Sequence, residues 1–349
     1  MGIFNIFKKK ESSTNDFHTL IIKESRKLTS ESVMLTFQID EQIKRDFQFR
    51  PGQYVDVETS ISGEKIRRSY SICSYEPSVL SIGVKIIPQG KMSNYLNQLS
   101  VGDTLQVSTP KGNFTSTGNE AHVVFVAAGS GITPIFSLLG ASSAKKQLFF
   151  VNKSFEQMMF KTELAEMRDL IKHLYFTQVQ EANHAYSRLS KNAFIEEIKK
   201  DLNLLKADAF FICGPHEMIL DIKDALKMFG VPESKIKFEL FQATVKEEIV
   251  NDVQFSGEAK VEVTLDGETS SMAIHTSKKS ILEGLESQGI DAPYSCRGGV
   301  CCSCKAKVLE GSTHMKVNYS LTDEEVKQGY ILTCQAQPTS SFVKITFDE

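Results

Sequence analysis

The sequence predicts a multidomain chain made of an antiparallel β-barrel, an α/β unit with a parallel sheet, and a small C-terminal domain rich in cysteine. Three observations predict this fold class. The 349 residues exceed what one hydrophobic core usually supports. Short alternating strands give way, near residue 121, to apolar runs that alternate with helical segments. Finally, five of the seven cysteines fall between Cys296 and Cys334, which marks the last part of the chain as a separate unit.

Composition and charge narrow the possible functions. The formal net charge is −3 and 24% of the residues are charged, which is not the basic balance of a nucleic-acid-binding protein. No apolar run reaches the roughly 18 residues that a membrane span needs. The opening segment, residues 1–10, is too short for a secretory signal, and we interpret residues 1–15 as a flexible tail without assigned function. We therefore expect a cytoplasmic protein that has no membrane span and binds no nucleic acid.

The first folded unit is predicted over residues 16–116. Residues 33–39 and 54–58 read as strands, and turn signals such as Pro51-Gly52 and Gly102-Asp103 separate the strands of this unit. Alternation with frequent turns is typical of an antiparallel barrel.

The second unit is predicted over residues 117–244. An apolar run at residues 122–128 leads into a glycine turn, residues 129–134, and then into a helical stretch, which is the opening of a βαβ unit. The alternation of strands and helices continues, so a parallel sheet covered by helices is expected. The charged, unpatterned residues 245–258 are interpreted as a linker, and the third unit as residues 259–349.

The cysteine cluster has the spacing C-x4-C-x2-C, followed by one more cysteine about thirty residues later. This is the spacing of a plant-type [2Fe–2S] cluster. A binuclear cluster needs four thiolates, and the neighbouring glycines let the loop turn sharply so that backbone N–H groups can point at the sulfurs. The predicted metal ligands are Cys296, Cys301, Cys304 and Cys334.

A structural zinc site is the alternative, because C-x2-C pairs often bind zinc. Zinc sites usually show two separated pairs, whereas three cysteines share one glycine-rich loop here, which favours the cluster. Cys302, next to Cys301, creates a second possible register; the C-x4-C-x2-C register leaves Cys302 as a bystander that could be sensitive to oxidation if exposed.

Arg68-Ser69-Tyr70-Ser71 resembles the flavin signature R-x-Y-S of the ferredoxin–NADP reductase superfamily. The resemblance implies that Arg68 contacts the flavin pyrophosphate, that Tyr70 packs on the isoalloxazine ring and that Ser71 lies near the reactive N5 atom. A guanidinium suits phosphate and an aromatic ring suits a flat heterocycle. An exposed arginine beside a packed tyrosine is the alternative for such a short motif.

Val84-Lys85 and the stretch that begins at Gly90 resemble the second flavin segment of this superfamily. In the family, a glycine-led turn and a helix N-terminus bind the pyrophosphate, which implies roles for the Met92 amide and for Ser93. Many relatives carry two adjacent glycines where this chain has Gln89-Gly90. The segment favours FAD over FMN.

Three further segments resemble the nicotinamide domain of the superfamily: the glycine turn at 129–134, the segment 213–215 after a buried strand, and the segment 238–241. Glycines permit close approach of a cofactor. A structural turn, a buried strand-end thiol and an ordinary amphipathic strand are the respective alternatives. The residues implied are Gly129, Gly131, Thr133, Pro134, Cys213, Gly214, Pro215, Glu239 and Phe241.

Coenzyme choice depends on cations that could pair with an adenosine 2′-phosphate. Lys153 and Arg188 are the candidates, and they favour NADPH over NADH, although both could be solvated surface charges.

The order of the motifs implies an NAD(P)H-dependent oxidoreductase with a β-grasp ferredoxin domain at its C-terminus. Electrons would pass from NAD(P)H to FAD, then to [2Fe–2S], then to a protein acceptor, which the resemblance implies is the ring-hydroxylating or epoxidising component of a multicomponent oxygenase. Other acceptors (a desaturase, a haem protein or a hybrid-cluster protein) and a non-catalytic iron–sulfur sensor stay open. Residues expected at the reacting centre are Tyr70, Ser71, Cys213 and Glu239.

Overall fold

The computed structural model describes residues 17–178, 185–186, 188–241, 257–275, 279–294 and 296–348. The predicted N-terminal tail lies outside these residues, as does nearly all of the predicted linker at 245–258. Three main sheets form the described part of the chain, each with its own core. Among the described residues no helix is long and apolar enough to cross a bilayer.

The first sheet has six strands in the order β4-β3-β6-β1-β2-β5, and every pair is antiparallel. The sheet curls until its edges meet at one isolated bridge between Ile72 and Ile82, so the predicted barrel is a half-open one. Alternating apolar residues such as Ile22, Leu35 and Val55 fill its interior. The elements are β1 (Phe17–Thr29), β2 (Ser32–Gln38), β3 (Tyr54–Ile61), β4 (Glu64–Ser71), β5 (Leu80–Lys85), α1 (Lys91–Leu96) and β6 (Thr104–Ser108).

The second sheet is parallel throughout, in the order β10-β9-β8-β7-β11-β12. Its central strands are continuous apolar runs because helices cover both faces. The elements are β7 (His122–Ala128), α2 (Ile132–Ala141), β8 (Lys145–Asn152), α3 (Lys161–Glu166), β9 (Leu170–Phe176), β10 (Ala185–Tyr186), α4 (Lys191–Lys200), β11 (Ala209–Gly214), α5 (His216–Met228) and β12 (Ile236–Leu240). Short 3₁₀ segments occupy Gly129–Gly131, Leu202–Lys206 and Glu233–Lys235.

The third unit has a mixed five-stranded sheet in the order β14-β13-β19-β15-β17, with a separate two-stranded ribbon of β16 and β18. Helix α6 begins with a capping box in which Ser280 and Glu283 satisfy each other's backbone groups, and it packs its apolar side onto this sheet. The elements are β13 (Glu258–Leu265), β14 (Glu268–His275), α6 (Ile281–Ser287), β15 (Lys305–Glu310), β16 (Thr313–Met315), α7 (Asp323–Lys327), β17 (Tyr330–Leu332), β18 (Ala336–Pro338) and β19 (Phe342–Thr346).

The cysteine-bearing unit contacts both other units. Arg67 of β4 lies over the Tyr294 ring, with its guanidinium carbon 5.2 Å from the ring centroid. Val300 and Tyr319 pack against the core under the parallel sheet. The barrel and the parallel sheet are joined as well, since the Ser137 hydroxyl of α2 donates to the Ser74 carbonyl at 2.5 Å. The loop that carries the cysteines is thereby held at the junction of the three units.

Candidate active site

A cavity of about 480 Å³ lies where the three units meet. This volume is within the range of sites that hold a small-molecule cofactor. Each unit contributes to its wall: the barrel through β3, β4 and the residue Ile87, the parallel sheet through the end of β12, and the cysteine loop through its first half. The lining residues are Tyr54, Arg68, Ser69, Ser71, Ile87, Glu239, Leu240, Phe241, Cys296, Arg297, Gly298, Val300 and Cys301.

The predicted flavin signature lies along the end of β4. Arg68 points toward the cavity, and its guanidinium also donates to the Arg67 carbonyl at 2.7 Å. The Ser69 hydroxyl donates to Asp56 Oδ1 at 2.8 Å, and this hydrogen bond joins β4 to β3. Tyr70 is half-buried against the barrel core. A cation and two hydroxyl groups therefore line one wall of a cavity of cofactor size.

The second predicted flavin segment follows β5. Val84 is buried in the barrel core, while Gly90 precedes the six-residue helix α1. The Ser93 hydroxyl donates to the Gly90 carbonyl at 3.2 Å and accepts from the Ile87 N–H at 3.1 Å, so it holds the turn together. Met92 is buried beneath this turn.

Lys85 connects this segment to the glycine turn of the parallel sheet. Its Nζ atom lies 4.0 Å from the position that a Cβ atom on Gly129 would take. Burial and the nearby ammonium of Lys153 lower the pKa of Lys85. Two cations thus face one another at the carboxyl edge of the parallel sheet, where α/β folds bind anionic ligands.

The glycine turn itself packs directly on strand β11. A Cβ atom on Gly131 would lie 2.2 Å from the Cys213 carbonyl oxygen, so only glycine allows this approach. The Thr133 hydroxyl donates to the Ser130 carbonyl at 3.0 Å, and Pro134 is buried in the first turn of α2.

The segment after β11 continues this edge of the sheet. Gly214 lies close to Ala128, and Pro215 precedes α5. The predicted residues at 129–134 and 213–215 therefore form one continuous edge.

Glu239 joins this edge to the barrel. It is the ladder partner of Cys213 on the neighbouring strand, and its Oε2 accepts a hydrogen bond of 3.3 Å from the Ser71 hydroxyl. Burial raises the pKa of Glu239 to about 8, with a smaller raising effect from Cys301 and an opposing effect from the Ser71 hydrogen bond. Burial also raises the pKa of Cys213 well above its usual range. At neutral pH the site therefore holds a protonated carboxyl and a protonated thiol.

The four predicted cluster ligands form two pairs. The Cys296 and Cys301 thiols are hydrogen-bonded to each other, and so are those of Cys304 and Cys334. The hydrogen bond from its partner lowers the pKa of Cys296, and the same holds for Cys334. Among the described residues no three metal-binding side chains converge as a single-ion site would need. Two thiol pairs fit the two iron atoms of a binuclear cluster.

The loop backbone supports these thiols. The Gly298 N–H donates to Cys296 Sγ at 3.3 Å, and Gln335 Nε2 donates to the Arg297 carbonyl at 2.8 Å. Gly299 has φ +73° and packs against Val317, so the predicted glycine turn is present. Such N–H to sulfur contacts are the kind that stabilise a cluster.

Cys302 stands apart from the two pairs. Its backbone is left-handed, with φ +58°, and its half-buried thiol bonds to Ser320. The predicted register leaves Cys302 out of the ligand set, and this stays a prediction.

Seven of the residues expected from the sequence line the cavity: Arg68, Ser69, Ser71, Glu239, Phe241, Cys296 and Cys301. Arg188 is exposed and follows β10, which is two strands away from β8. Tyr54 lines the cavity although it was not expected there, and Ser303 Oγ lies 3.0 Å from its hydroxyl oxygen. Tyr54 follows the Pro51-Gly52 turn, and Ser303 lies between two ligands of the loop. The only sequence signal for Ser303 was its place inside the cysteine loop, and that for Tyr54 was its place after the turn.

Comparisons with known proteins agree with this geometry. Family models match an oxidoreductase FAD-binding domain over residues 19–116, an oxidoreductase NAD-binding domain over residues 125–224 and a 2Fe-2S iron-sulfur cluster binding domain over residues 263–339. The chain is 34% identical to one of the subunits of 1,2-phenylacetyl-CoA epoxidase from Escherichia coli, over 95% of this chain and 98% of its relative. The chain belongs to the family of ferredoxin-reductase-type components of oxygenases.

A second relative is the ferredoxin reductase component of 3-ketosteroid-9-alpha-monooxygenase from Rhodococcus rhodochrous, which is 29% identical over 91% of this chain and 93% of its own. Among solved structures, phthalate dioxygenase reductase superposes with a TM-score of 0.61 at 23% identity, covering 95% of this chain and 98% of that one. These findings confirm the predicted fold class and the predicted superfamily. They also confirm an oxidoreductase with domains for FAD, a pyridine nucleotide and a [2Fe–2S] cluster. Within the superfamily, the motifs predict a resemblance to the reductase subunit of phenylacetyl-CoA epoxidase, and the 34% identity confirms it.

Proposed function

We propose that this reductase takes electrons from NADPH and delivers them, one at a time, to the oxygenase component of a phenylacetyl-CoA epoxidase. The supporting observation is the shared cavity, in which the Arg68–Ser71 segment, Glu239 and the Cys296–Cys301 pair line one space of about 480 Å³. The carboxyl edge of the parallel sheet, formed by residues 129–134 and 213–215, is called the nucleotide edge below. A flavin bound in the cavity would lie between this edge and the cluster loop. The extended similarity to a component of the epoxidase supports the acceptor.

In this proposal, each wall of the cavity has a separate task. Arg68 binds the flavin pyrophosphate, aided by the N-terminal turn of α1 with the Met92 amide and Ser93. Tyr70 stacks on the flavin ring, and Phe241 borders the cavity from the end of β12. When bound, FAD accepts two electrons together as hydride and releases them singly, which a nicotinamide cannot do. The protein contributes orientation and electrostatics.

Ser71, Glu239 and Cys213 would orient the nicotinamide next to the flavin. The Ser71 hydroxyl is held by Glu239 at 3.3 Å, and Glu239 keeps its proton at neutral pH because burial raises its pKa to about 8. A neutral carboxyl beside the hydride path avoids a negative charge there, and a protonated Cys213 does not act as a nucleophile.

The preference for NADPH is proposed from three features at the carboxyl edge of the parallel sheet. Burial and the charge of Lys153 lower the pKa of Lys85 while the charge of Glu31 raises it, and a bound anion would further stabilise both lysines. The Nδ2 atom of buried Asn152, at the end of β8, has no hydrogen-bond partner among the described residues. A buried donor without an acceptor lowers the stability of the folded protein. Phosphate and ribose oxygens of a bound coenzyme would satisfy all three groups.

An anaerobic titration tests the electron path. Purified protein with FAD and iron is titrated with NADPH while visible and EPR spectra are recorded. Bleaching of the flavin absorbance followed by a reduced [2Fe–2S] signal is expected. Protein that binds no flavin, or in which NADPH reduces no cluster, would contradict the proposed path.

The acceptor is tested separately with the oxygenase component of a phenylacetyl-CoA epoxidase. We expect NADPH-dependent oxidation of phenylacetyl-CoA only when both proteins are present. Desaturases, haem proteins and hybrid-cluster proteins are the alternative acceptors, and faster electron delivery to one of them than to the epoxidase would reassign the partner. A non-catalytic iron–sulfur sensor does not fit a chain with matches to FAD- and NAD-binding domains.

We also propose a cytoplasmic location, because cysteines that must stay reduced to bind a cluster suit a reducing compartment.

A further inference from the structure

Tyr54 forms a direct link between the barrel sheet and the cysteine loop. Its hydroxyl donates to the Cys301 carbonyl at 2.8 Å and lies 3.0 Å from Ser303 Oγ. These groups are far apart along the chain, since Tyr54 and Cys301 are 247 positions from each other. The contact is therefore a property of how the units dock.

The position of the Tyr54 hydroxyl is determined by the barrel. Tyr54 is the ladder partner of Ser71, and its backbone also pairs with Lys111 on the other side, with N–O distances of 2.9 and 2.8 Å. The residue is 5% exposed, and its ring lies so close to Gly112 that a Cβ atom there would be 2.9 Å away. A residue fixed on three sides can hold a partner in a defined place.

On the other side of the contact is one half of the predicted cluster site. Ser303 Oγ lies 3.4 Å from Cys301 Sγ, within hydrogen-bond reach of a sulfur. Cys301 and its pair partner Cys296 line the cavity, whereas Cys304 and Cys334 are buried and are not among its lining residues. Hydrogen bonds to ligand sulfurs tune the reduction potential of a cluster.

We propose that Tyr54 is a positioning residue that holds the Cys296–Cys301 side of the cluster against the flavin site and, with Ser303, sets the hydrogen bonding of the Cys301 sulfur. This inference rests on the proposed function and names the side at which electrons enter the cluster. One electron leaves the reduced flavin and one enters the cluster in each event, so no bond is made or broken.

Another contact at the same interface supplies a control. Lys65 pairs with Asp291, with Nζ and Oδ2 3.2 Å apart, and both side chains are exposed. This ion pair joins the barrel to the third unit outside the cysteine loop, and Asp291 Oδ1 also lies 3.8 Å from the Arg67 guanidinium. If docking alone were responsible, loss of either contact would have the same effect.

The test compares Tyr54→Phe, Ser303→Ala and Asp291→Asn in the full chain loaded with FAD and iron, after flavin and iron contents have been measured. The readouts are the rate of cluster reduction after mixing with NADPH, the EPR spectrum of the reduced cluster and its midpoint potential. Tyr54→Phe is expected to slow cluster reduction about tenfold and to alter the EPR spectrum, as changes in the hydrogen bonds around metal ligands do. In the structure the Cys301 thiol donates to Ser303 Oγ, whereas an iron-bound thiolate could only accept a hydrogen bond from this hydroxyl. Ser303→Ala removes that hydroxyl and is therefore expected to lower the midpoint potential, and Asp291→Asn is expected to match the unmodified protein.

The proposal is overturned if Tyr54→Phe has the rate and EPR spectrum of the unmodified protein, or if Asp291→Asn slows cluster reduction as much as Tyr54→Phe does. An unchanged potential in Ser303→Ala, which leaves the barrel intact, overturns the part that concerns the sulfur. Failure of the unmodified protein to reduce its cluster with NADPH would instead count against the proposed function.

Discussion

The Ser71 hydroxyl donates to Glu239 Oε2 at 3.3 Å across the boundary between the barrel and the parallel sheet, although the two are 168 positions apart in sequence. Glu239 is in turn the ladder partner of Cys213, against whose carbonyl the Gly131 turn packs. One short chain of contacts therefore runs from the flavin signature to the nucleotide edge. Its central carboxyl has a pKa that burial raises to about 8.

Replacing Glu239 by Gln should change how stability depends on pH. The pKa of Glu239 is raised from 4.5 to about 8 in the folded protein, so the native state holds a proton that the unfolded state releases. Stability from this group is complete below pH 4.5 and is lost as pH rises toward 8. We expect Glu239→Gln and the unmodified protein to have similar melting temperatures near about pH 4.5 to 5. The variant should become the more stable of the two as pH rises, with the difference levelling off above about 8. Equal melting temperatures at every pH would show that the carboxyl is ionised when folded.

Two single cysteine replacements distinguish the two possible registers of the cluster loop. Cys302→Ser should keep the visible and EPR spectra of the cluster and two iron atoms per chain, because the Cys302 thiol bonds to Ser320 rather than to another thiol. Cys301→Ser should lose or alter the cluster, because it removes one member of a thiol pair. The opposite pattern would show that Cys302 is the ligand.

Lys153→Ala and Arg188→Ala test coenzyme recognition. Each should raise the KM for NADPH about tenfold, a loss of about 1.4 kcal/mol, and change the KM for NADH little. Lys145→Ala is the matched control, since Lys145 lies on the same strand as Asn152 but at its opposite end. Steady-state kinetics of each variant with NADPH and with NADH measure these KM values. Equal KM values in Arg188→Ala and the unmodified protein would remove Arg188 from the site, and the same result for Lys153→Ala would remove Lys153.

Gly131→Ala tests the close packing of the glycine turn on β11. The added Cβ atom would lie 2.2 Å from the Cys213 carbonyl oxygen, so the turn must move away from the nucleotide edge. We expect NADPH-dependent flavin reduction to fall by at least about tenfold, while the bound flavin and the cluster spectrum are retained. Ser142→Ala, just after the other end of α2, is the control and should behave as the unmodified protein. Normal flavin reduction in Gly131→Ala would show that the turn is not part of the coenzyme site.

The local parts of the site could be predicted from the sequence because their geometry depends on neighbouring residues. The loop from Cys296 to Cys304 carries three ligands and its own glycines, so spacing alone indicates a binuclear cluster. The turn at Gly131 likewise follows directly on a buried strand, and apolar periodicity distinguished the antiparallel unit from the parallel one. Family resemblance then supplied roles for Arg68, Tyr70 and Ser71 that their spacing alone did not.

Tertiary structure decided the relationships between distant segments. No local pattern contains the pairing of Cys304 with Cys334, the hydrogen bond between Ser71 and Glu239, or the link from Tyr54 to the cysteine loop. The near-closure of the barrel at Ile72 and Ile82 is likewise a contact that no local pattern predicts. A strand pattern specifies which face of a strand is buried, but it does not specify which strand end meets which loop of another unit. Those contacts arise only when three separately cored sheets pack together, and this packing creates the cavity, the raised pKa of Glu239 and the predicted entry side of the cluster.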